Sequence, residues 1–233
     1  MQIDIGIAKV GKYAVSESGD SVEVVERPRG GLSVVIVDGQ GHGRSAKRLS
    51  HQVASKAAGL IGDGARDGVV MRTVNDFLYA LRDGMVSCTI TILTVDLDAK
   101  SLVVSRNSNC PVVIRHPDGS HCLDSEQTPI GVHRQNRPSV AHWPVFPNTT
   151  LLGFTDGVIH AGRRTAQPFT LNEVYRMLDI QGQSPQHLAD GILDYALQTE
   201  KFKPKDDMGV AVVSVNADDK GLGIRRMAVS YPF

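Results

Sequence analysis

The sequence has little cysteine and no excess of either charge. Its 233 residues include only three cysteines, and none of them forms a C-x-x-C pair: Cys88, Cys110 and Cys122. This count argues against a disulfide framework and against a cysteine-based zinc site. Basic and acidic residues number 25 each, which argues against a large basic surface for nucleic acid or for a membrane. We therefore expect neither nucleic acid nor a membrane as a partner.

Long apolar runs are also missing from the sequence. No segment approaches the roughly 18 apolar residues of a membrane-spanning helix, and the first ten residues, MQIDIGIAKV, lack the apolar stretch of a signal peptide. A cytoplasmic protein is the expectation. With neither an internal repeat nor a convincing boundary, we predict one domain over 1–216. Residues 217–233 are expected to add a turn and a short closing strand packed on that domain.

Short strands at close intervals, interrupted by two groups of helices, make up the predicted secondary structure. Strands that follow one another without intervening helices favour antiparallel pairing. The strands are predicted over 3–10, 13–15, 22–26, 32–37, 86–97, 102–105, 111–115, 139–143, 149–155 and 208–215. Amphipathic helices are predicted over 43–61, 68–81, 171–179 and 185–197. The first two helices are expected to cover one face of a sheet.

A glycine-rich turn joins the apolar strand 32–37 to the first helix. It reads Asp38-Gly39-Gln40-Gly41-His42-Gly43, so a carboxylate stands at the tip of a rigid strand. That carboxylate and the neighbouring glycine carbonyls are oxygen ligands of the kind that Mg²⁺ or Mn²⁺ prefers. The same turn could instead cradle a phosphate through backbone N–H groups, although its spacing is not G-x-G-x-x-G. It could also be a plain turn.

Four acidic positions share one local context, a turn at the end of a strand. They are Asp20, Asp38, Asp156 and the pair Asp206-Asp207. Three of these positions adjoin the most hydrophobic strands, which should be central in a sheet, so their ends can converge. Converging carboxylates repel one another unless a cation lies among them. Four or more acidic oxygens fit two divalent ions, the usual device for activating water in phosphoester hydrolysis.

The order and spacing of five motifs resemble those of the metal-dependent protein phosphatases of the protein phosphatase 2C type, in particular their bacterial SpoIIE-like branch. The resemblance covers residues 1–215, and the motifs are Ser18-Gly19-Asp20, the turn from Asp38 to Gly43, Thr128-Pro129-Ile130-Gly131, Phe154-Thr155-Asp156-Gly157 and Asp206-Asp207-Met208. It implies an α+β fold, a four-layer α-β-β-α sandwich in which helix pairs flank two antiparallel sheets. It also implies dependence on Mn²⁺ or Mg²⁺ and hydrolysis of phosphoserine or phosphothreonine in proteins.

The resemblance also implies roles for individual residues. Asp38 would bridge two metal ions. Asp156 and Asp206 would complete the coordination shell of the first ion, and the Gly39 carbonyl would bind the second ion. Asp20 would serve the second ion through water. Asp207 stands where many relatives have Asn, so it is expected to support the ligands, with an exchange of roles between Asp206 and Asp207 left open. Asp38 and Asp156 are the catalytic candidates, and a third ion and the general acid are left unassigned.

The sequence departs from the family pattern at three places. Eukaryotic relatives have His, a candidate general acid, where this chain has Gln40, and we expect His42 to have a structural role at the helix start. Residues 107–111 lack the Gly-His pair of many bacterial relatives. No phosphate-binding arginine is obvious near the N-terminus, which leaves Arg163 and Arg164 as candidate substrate contacts or as a solvated surface pair.

The expected partner is a phosphorylated protein. No sensor, kinase or transmembrane segment is apparent in the sequence, and a free-standing phosphatase of this branch resembles the stressosome feedback phosphatase, which acts on phosphorylated STAS-domain proteins. The alternative is a pseudophosphatase that keeps the fold and binds a partner without turnover. An aspartate at every expected ligand position favours the active enzyme.

Overall fold

The computed structural model describes residues 1–165, 167–180, 182–217 and 223–230. Ten strands and five helices follow one another along these residues. The first half contains β1 (Gln2–Val10), β2 (Asp20–Glu26), β3 (Gly31–Gly39), α1 (Gly43–Gly62), α2 (Asp67–Arg82), β4 (Cys88–Asp96), β5 (Ser101–Asn107) and β6 (Val112–His116). The second half contains β7 (Gly119–Leu123), β8 (Ser139–Pro144), β9 (Thr149–Phe154), α3 (Asp156–Ile159), α4 (Leu171–Leu178), α5 (Pro185–Thr199) and β10 (Met208–Asn216).

The strands form two five-stranded sheets in which every pairing is antiparallel. The front sheet has the order β2-β3-β4-β5-β8, and the back sheet has the order β1-β10-β9-β6-β7. Asp38, Asp156 and Asp206 adjoin β3, β9 and β10, which are interior strands, as their hydrophobicity predicted. Asp20 instead opens β2, an edge strand.

Three apolar cores separate the layers. In β3, Val34 and Ile36 point between the sheets, where Leu93 and Val213 also lie. The alternate residues, including Val35, face the opposite side, against α1 and α2. Both faces of an interior strand are therefore buried, which explains the continuous apolar run in the sequence.

The helices cover the two outer faces of the sandwich. The apolar face predicted for α1 is buried at Ala46, Leu49, Val53 and Ala57. On the other side, α5 packs against β1 and β10, and α3 and α4 join the same core. The four-layer α-β-β-α sandwich with antiparallel sheets and a helix pair on each face is confirmed, with α3 as an additional short helix.

Two elements were not predicted and one predicted strand is wrong. Strand β7 and the four-residue helix α3 were missed. The segment 13–15 is a turn, because Ala14 has a φ of +62° and the Tyr13 N–H donates to the Pro204 carbonyl rather than to a neighbouring strand. Among the described helices, none combines the length and the apolar character that crossing a bilayer requires.

The predicted closing strand is not found where the structure describes the C-terminal region. Residues 223–230 are exposed and have no strand, whereas 218–222 and 231–233 lie outside the described residues. Arg225 donates to Glu26 at 2.7 Å. Packing of 217–233 on the domain stays a prediction.

Candidate metal centre

Asp20 and Asp38 lie directly opposite each other on paired strands. Asp20 opens β2 and Asp38 stands one residue before the end of β3, and the antiparallel register makes them partners. Directly opposed residues project from the same face of a sheet with their Cβ atoms close together. The motif in the loop before β2 and the glycine-rich turn therefore meet at one sheet edge.

The carboxyl groups of Asp20, which is buried, and Asp38, which is half-buried, repel one another. Burial, together with the charges of Asp20, Asp156, Asp206 and Asp207, raises the pKa of Asp38 to about 9. Burial is also the main reason why the pKa of Asp20, whose side chain is 1% exposed, is raised to about 7. In the protein alone, these groups hold protons near neutral pH that an ordinary aspartate would release.

The back sheet brings further carboxylates to the same place. Asp156 follows β9 as the first residue of α3, and Asp206 precedes β10, the neighbour of β9 in the sheet. Thr155 joins the two segments, since its N–H donates to the Gly209 carbonyl at 2.9 Å and its hydroxyl accepts from the Gly209 N–H at 2.8 Å. The pKa of Asp156 is raised by burial and by the charge of Asp206.

Asp207 connects the back sheet to the loop that carries Asp20. Its Oδ1 accepts from the Lys12 N–H at 2.8 Å and its Oδ2 accepts from the Gly19 N–H at 2.7 Å. The side chain is buried, whereas Asp206 is exposed. Both carboxylate oxygens of Asp207 are thus used to position the loop. The assignment of Asp206 as the metal ligand and of Asp207 as its support stays a prediction.

Two glycines of the motifs are required by close backbone approaches. A Cβ on Gly39 would lie 2.5 Å from the Ala46 carbonyl oxygen, because α1 packs directly on the end of β3. A Cβ on Gly157 would lie 2.1 Å from the Asp207 carbonyl oxygen. The two glycines therefore allow the backbone beside Asp38 to pack on α1 and the backbone beside Asp156 to pack on Asp207.

Sequence reasoning missed two lysines beside the acidic edge. The amino groups of Lys9 and Lys47 both donate to the Asp20 carbonyl at 2.9 Å. The pKa of Lys9 is lowered by partial desolvation of its amino group and by the charge of Lys47. The alternation of β1 could have identified Lys9, because it places this lysine on the same strand face as the apolar residues Ile5 and Ile7.

Other singled-out residues have structural contacts. Gln40 is tied to Ser87, whose N–H donates to the Gln40 Oε1 at 2.8 Å. His42 stands at the N-cap position of α1 without a capping hydrogen bond from its side chain, so the expected role at the helix start is limited to that position. The segment 128–131 is a loop that pairs with β4, since Ile130 and Cys88 exchange two backbone hydrogen bonds.

Cys88 and Cys110 are unsuited to act as nucleophiles. Cys88 and Cys110 are buried, and burial raises the pKa of each thiol to about 12. The charges of Asp156, Asp38 and Asp20 contribute to the shift of Cys110, so this thiol lies near the carboxylates. A thiol held protonated in this way is inert at neutral pH.

The donor set fits hard divalent cations. The Asp20 Oδ2 is buried without a hydrogen-bond partner among the described residues, and the surrounding oxygens come from carboxylates and a glycine carbonyl. In the part of the chain that the structure describes, no three His, Cys, Asp or Glu side chains group tightly enough to hold one ion by themselves. Ions here would take further ligands from backbone oxygen and water, as Mg²⁺ commonly does.

The arginine pair lies next to this centre. Arg163 and Arg164 follow α3 and line a cavity of about 290 Å³ together with Asp206. Arg163 is close enough to Asp156 to lower its pKa against the effect of burial.

Comparison with known proteins gives consistent similarities. The family model described as Stage II sporulation protein E (SpoIIE) matches residues 28–216. A protein of that name from Priestia megaterium is 22% identical over 213 residues, which cover 91% of this chain and 36% of the relative. The chain thus spans about a third of the length of that relative.

Solved structures share the fold. The phosphatase domain of SpoIIE from Bacillus subtilis, solved with a fragment of its regulatory domain, superposes with a TM-score of 0.78 at 23% identity and covers 92% of this chain and 64% of that one. RsbX in complex with magnesium gives a TM-score of 0.71 at 16% identity, covering 91% of this chain and 94% of that one. The expected two-sheet architecture is that of protein phosphatase 2C-type domains.

Proposed function

This chain belongs to the SpoIIE family, and from that premise we propose that it is a metal-dependent protein serine/threonine phosphatase. The observation that carries the proposal is the meeting of Asp20 and Asp38 from the front sheet with Asp156 and Asp206 from the back sheet. Burial and the charges of neighbouring aspartates raise the pKa values of Asp20, Asp38 and Asp156, so the cluster needs compensating positive charge to be fully ionised.

The carboxylates have distinct roles in this proposal. Asp38 would be shared by two divalent ions, Mn²⁺ or Mg²⁺, with Asp156 and Asp206 on one ion and the Gly39 carbonyl on the other. Asp20 would act through water. When bound, such ions lower the pKa of water and neutralise charge on a transferred phosphoryl group.

The chain's own residues then position the reacting groups. Asp207 holds the loop before β2 in place through the Lys12 and Gly19 N–H groups, and Thr155 keeps the ends of β9 and β10 in register. Because the buried thiols stay protonated, attack by water rather than by a cysteine fits this site. Asp38 and Asp156 would orient that water.

The substrate class is a phosphoserine or phosphothreonine in a protein. We propose phosphorylated STAS-domain proteins as candidates, on the resemblance to the stressosome feedback phosphatase. A screen of phosphorylated STAS-domain proteins from the same genome, read as phosphate release, tests this choice separately from the reaction class. A cytoplasmic location stays a prediction.

Hydrolysis of p-nitrophenyl phosphate tests the proposed reaction. The purified chain should hydrolyse it with Mn²⁺, and chelation or the Asp38→Ala substitution should abolish the activity while circular dichroism shows retained folding. Asp98→Ala is the matched control, since Asp98 is an exposed aspartate in the turn between β4 and β5. Full activity after chelation or in Asp38→Ala would refute the reaction. Absence of turnover together with tight binding of a phosphoprotein would favour the pseudophosphatase.

A further inference from the structure

A cavity of about 290 Å³ opens beside the carboxylate centre. It lies between the segment that follows α3 and the segment that leads into β10, and Asp206 belongs both to its wall and to the acidic cluster. The other lining residues are Gly157, His160, Arg163, Arg164, Glu200 and Lys205. A group bound in this cavity would therefore be a close neighbour of a group bound at the centre.

A buried glutamate fixes the two walls of this cavity. The side chain of Glu200 is largely buried and its Oε1 accepts from the Gly162 N–H at 3.2 Å, while its Oε2 accepts from the Lys205 N–H at 2.6 Å. The Lys205 amino group also lies 3.7 Å from Glu200. The segments on both sides are thus held by one carboxylate, so the cavity is a built feature of the fold.

Arg163, Arg164 and Lys205 outnumber Asp206 and Glu200 among the lining residues, so the charged groups of the cavity sum to a net +1 with His160 neutral. Glu200 forms an ion pair with Lys205. Arg163 and Arg164 are exposed and form no salt bridge within the described residues. Arg163 acts on the centre only at a distance, through its effect on the pKa of Asp156. Two guanidinium groups therefore remain available to an anion that is not held by the carboxylate centre itself.

We propose that this cavity, through Arg163 and Arg164, binds an acidic side chain that flanks the phosphorylated residue of the substrate. The inference rests on the proposed phosphatase function and adds a sequence preference to it. The phosphoryl group belongs at the carboxylate centre, and an extended substrate advances by about 3.3–3.6 Å per residue. An Asp or Glu close in sequence to the phosphoserine is the anion that can reach the adjoining cavity.

Paired phosphopeptides test the preference. Each pair has the same phosphoserine and differs in having Asp and Glu or only Ala at the flanking positions, and the ratio of their kcat/KM values is measured with Mn²⁺. The unaltered chain should favour the acidic peptide by about fivefold, the size expected of exposed ion pairs, and less at high salt. In Arg163→Gln/Arg164→Gln the ratio should fall to about 1.

Two further variants sharpen the test. Arg29→Gln removes an exposed arginine at the β2–β3 hairpin and should keep the full ratio. Arg163→Glu/Arg164→Glu should invert the preference toward a peptide flanked by lysines. Because a ratio within one preparation is measured, a change in overall activity does not alter its meaning.

The outcomes separate this inference from the reaction on which it rests. Hydrolysis of p-nitrophenyl phosphate without any acidic preference, or a preference that survives in Arg163→Gln/Arg164→Gln, would overturn the role of the cavity and leave the phosphatase intact. Failure of the folded chain to hydrolyse any of the substrates would overturn both.

Discussion

Asp207 accepts a hydrogen bond from the backbone N–H of Gly19 at 2.7 Å, which joins the start of β10 in one sheet to the loop before β2 in the other. The second oxygen of Asp207 accepts from the Lys12 N–H. This buried carboxylate therefore sets the distance between the front-sheet and back-sheet halves of the acidic centre.

Replacing Asp207 should destabilise the metal-free protein. Asp207→Asn keeps a single acceptor oxygen for two backbone donors, and a buried donor without a partner costs about 1–3 kcal/mol. Urea unfolding with a chelator present should show this loss. The neighbouring Asp206→Asn is the control: Asp206 is exposed, so its substitution should change stability by about 0.5 kcal/mol or less. Equal effects of the two substitutions would contradict the assigned roles.

The crowded carboxylates should make the metal-free protein less stable as the pH rises. The pKa of Asp38 is raised from 3.8 to about 9 and that of Asp20 from 3.8 to about 7. Between about pH 4 and pH 9 the folded state holds protons that the unfolded chain has released, so the free energy of unfolding falls with pH, by at most about 1.4 kcal/mol per pH unit for each proton.

Urea unfolding of chelated protein between about pH 5 and pH 9 measures this dependence. Asp38→Asn should flatten the decline, because it removes the group with the largest shift, and the exposed control Asp98→Asn should leave it unchanged. A free energy of unfolding that increases from pH 5 to pH 9 in the chelated, unaltered chain would exclude the proposed repulsion.

Gly157→Ala should disturb the centre through the backbone of Asp207. The added Cβ would lie 2.1 Å from the Asp207 carbonyl oxygen, and overpacking of this kind costs about 1–3 kcal/mol or more. Gly191→Ala is the matched control in α5, where a Cβ would meet nothing within 4 Å; it should stabilise by about 0.5–1 kcal/mol. Thermal unfolding of the two variants in opposite directions supports this close approach, and a neutral Gly157→Ala would contradict it.

Sequence patterns predicted the elements whose signals are local. The apolar run of β3 and the helical period of α1 correspond to residues buried on the faces that those patterns indicated. Strand β7 was missed because it reads GSHCL, an edge strand with little apolar character. The sequence predicts a strand at 13–15, where the structure has a turn, because the partner of Tyr13, the Pro204 carbonyl, is far away in the sequence.

The convergence of the acidic residues was predictable from the sequence, whereas the hydrogen bonds that support them were not. Asp38, Asp156 and Asp206 stand next to the ends of interior strands, and Asp20 joins them because it opens the edge strand β2 directly opposite Asp38. The hydrogen bonds of Asp207 to Lys12 and Gly19 join segments almost two hundred residues apart, and no local pattern announces them. The same holds for the hydrogen bond from the Gly162 N–H to Glu200, which joins segments that are distant in the sequence.

Anomalous scattering from crystals grown with Mn²⁺ tests the central claim most directly, because it locates the ions themselves. We expect manganese peaks between the two sheets, within coordination distance of Asp38 and Asp156, and their loss in crystals of Asp38→Asn. A folded, Mn²⁺-saturated chain without manganese at Asp38, or with manganese only at other surfaces, would contradict the account.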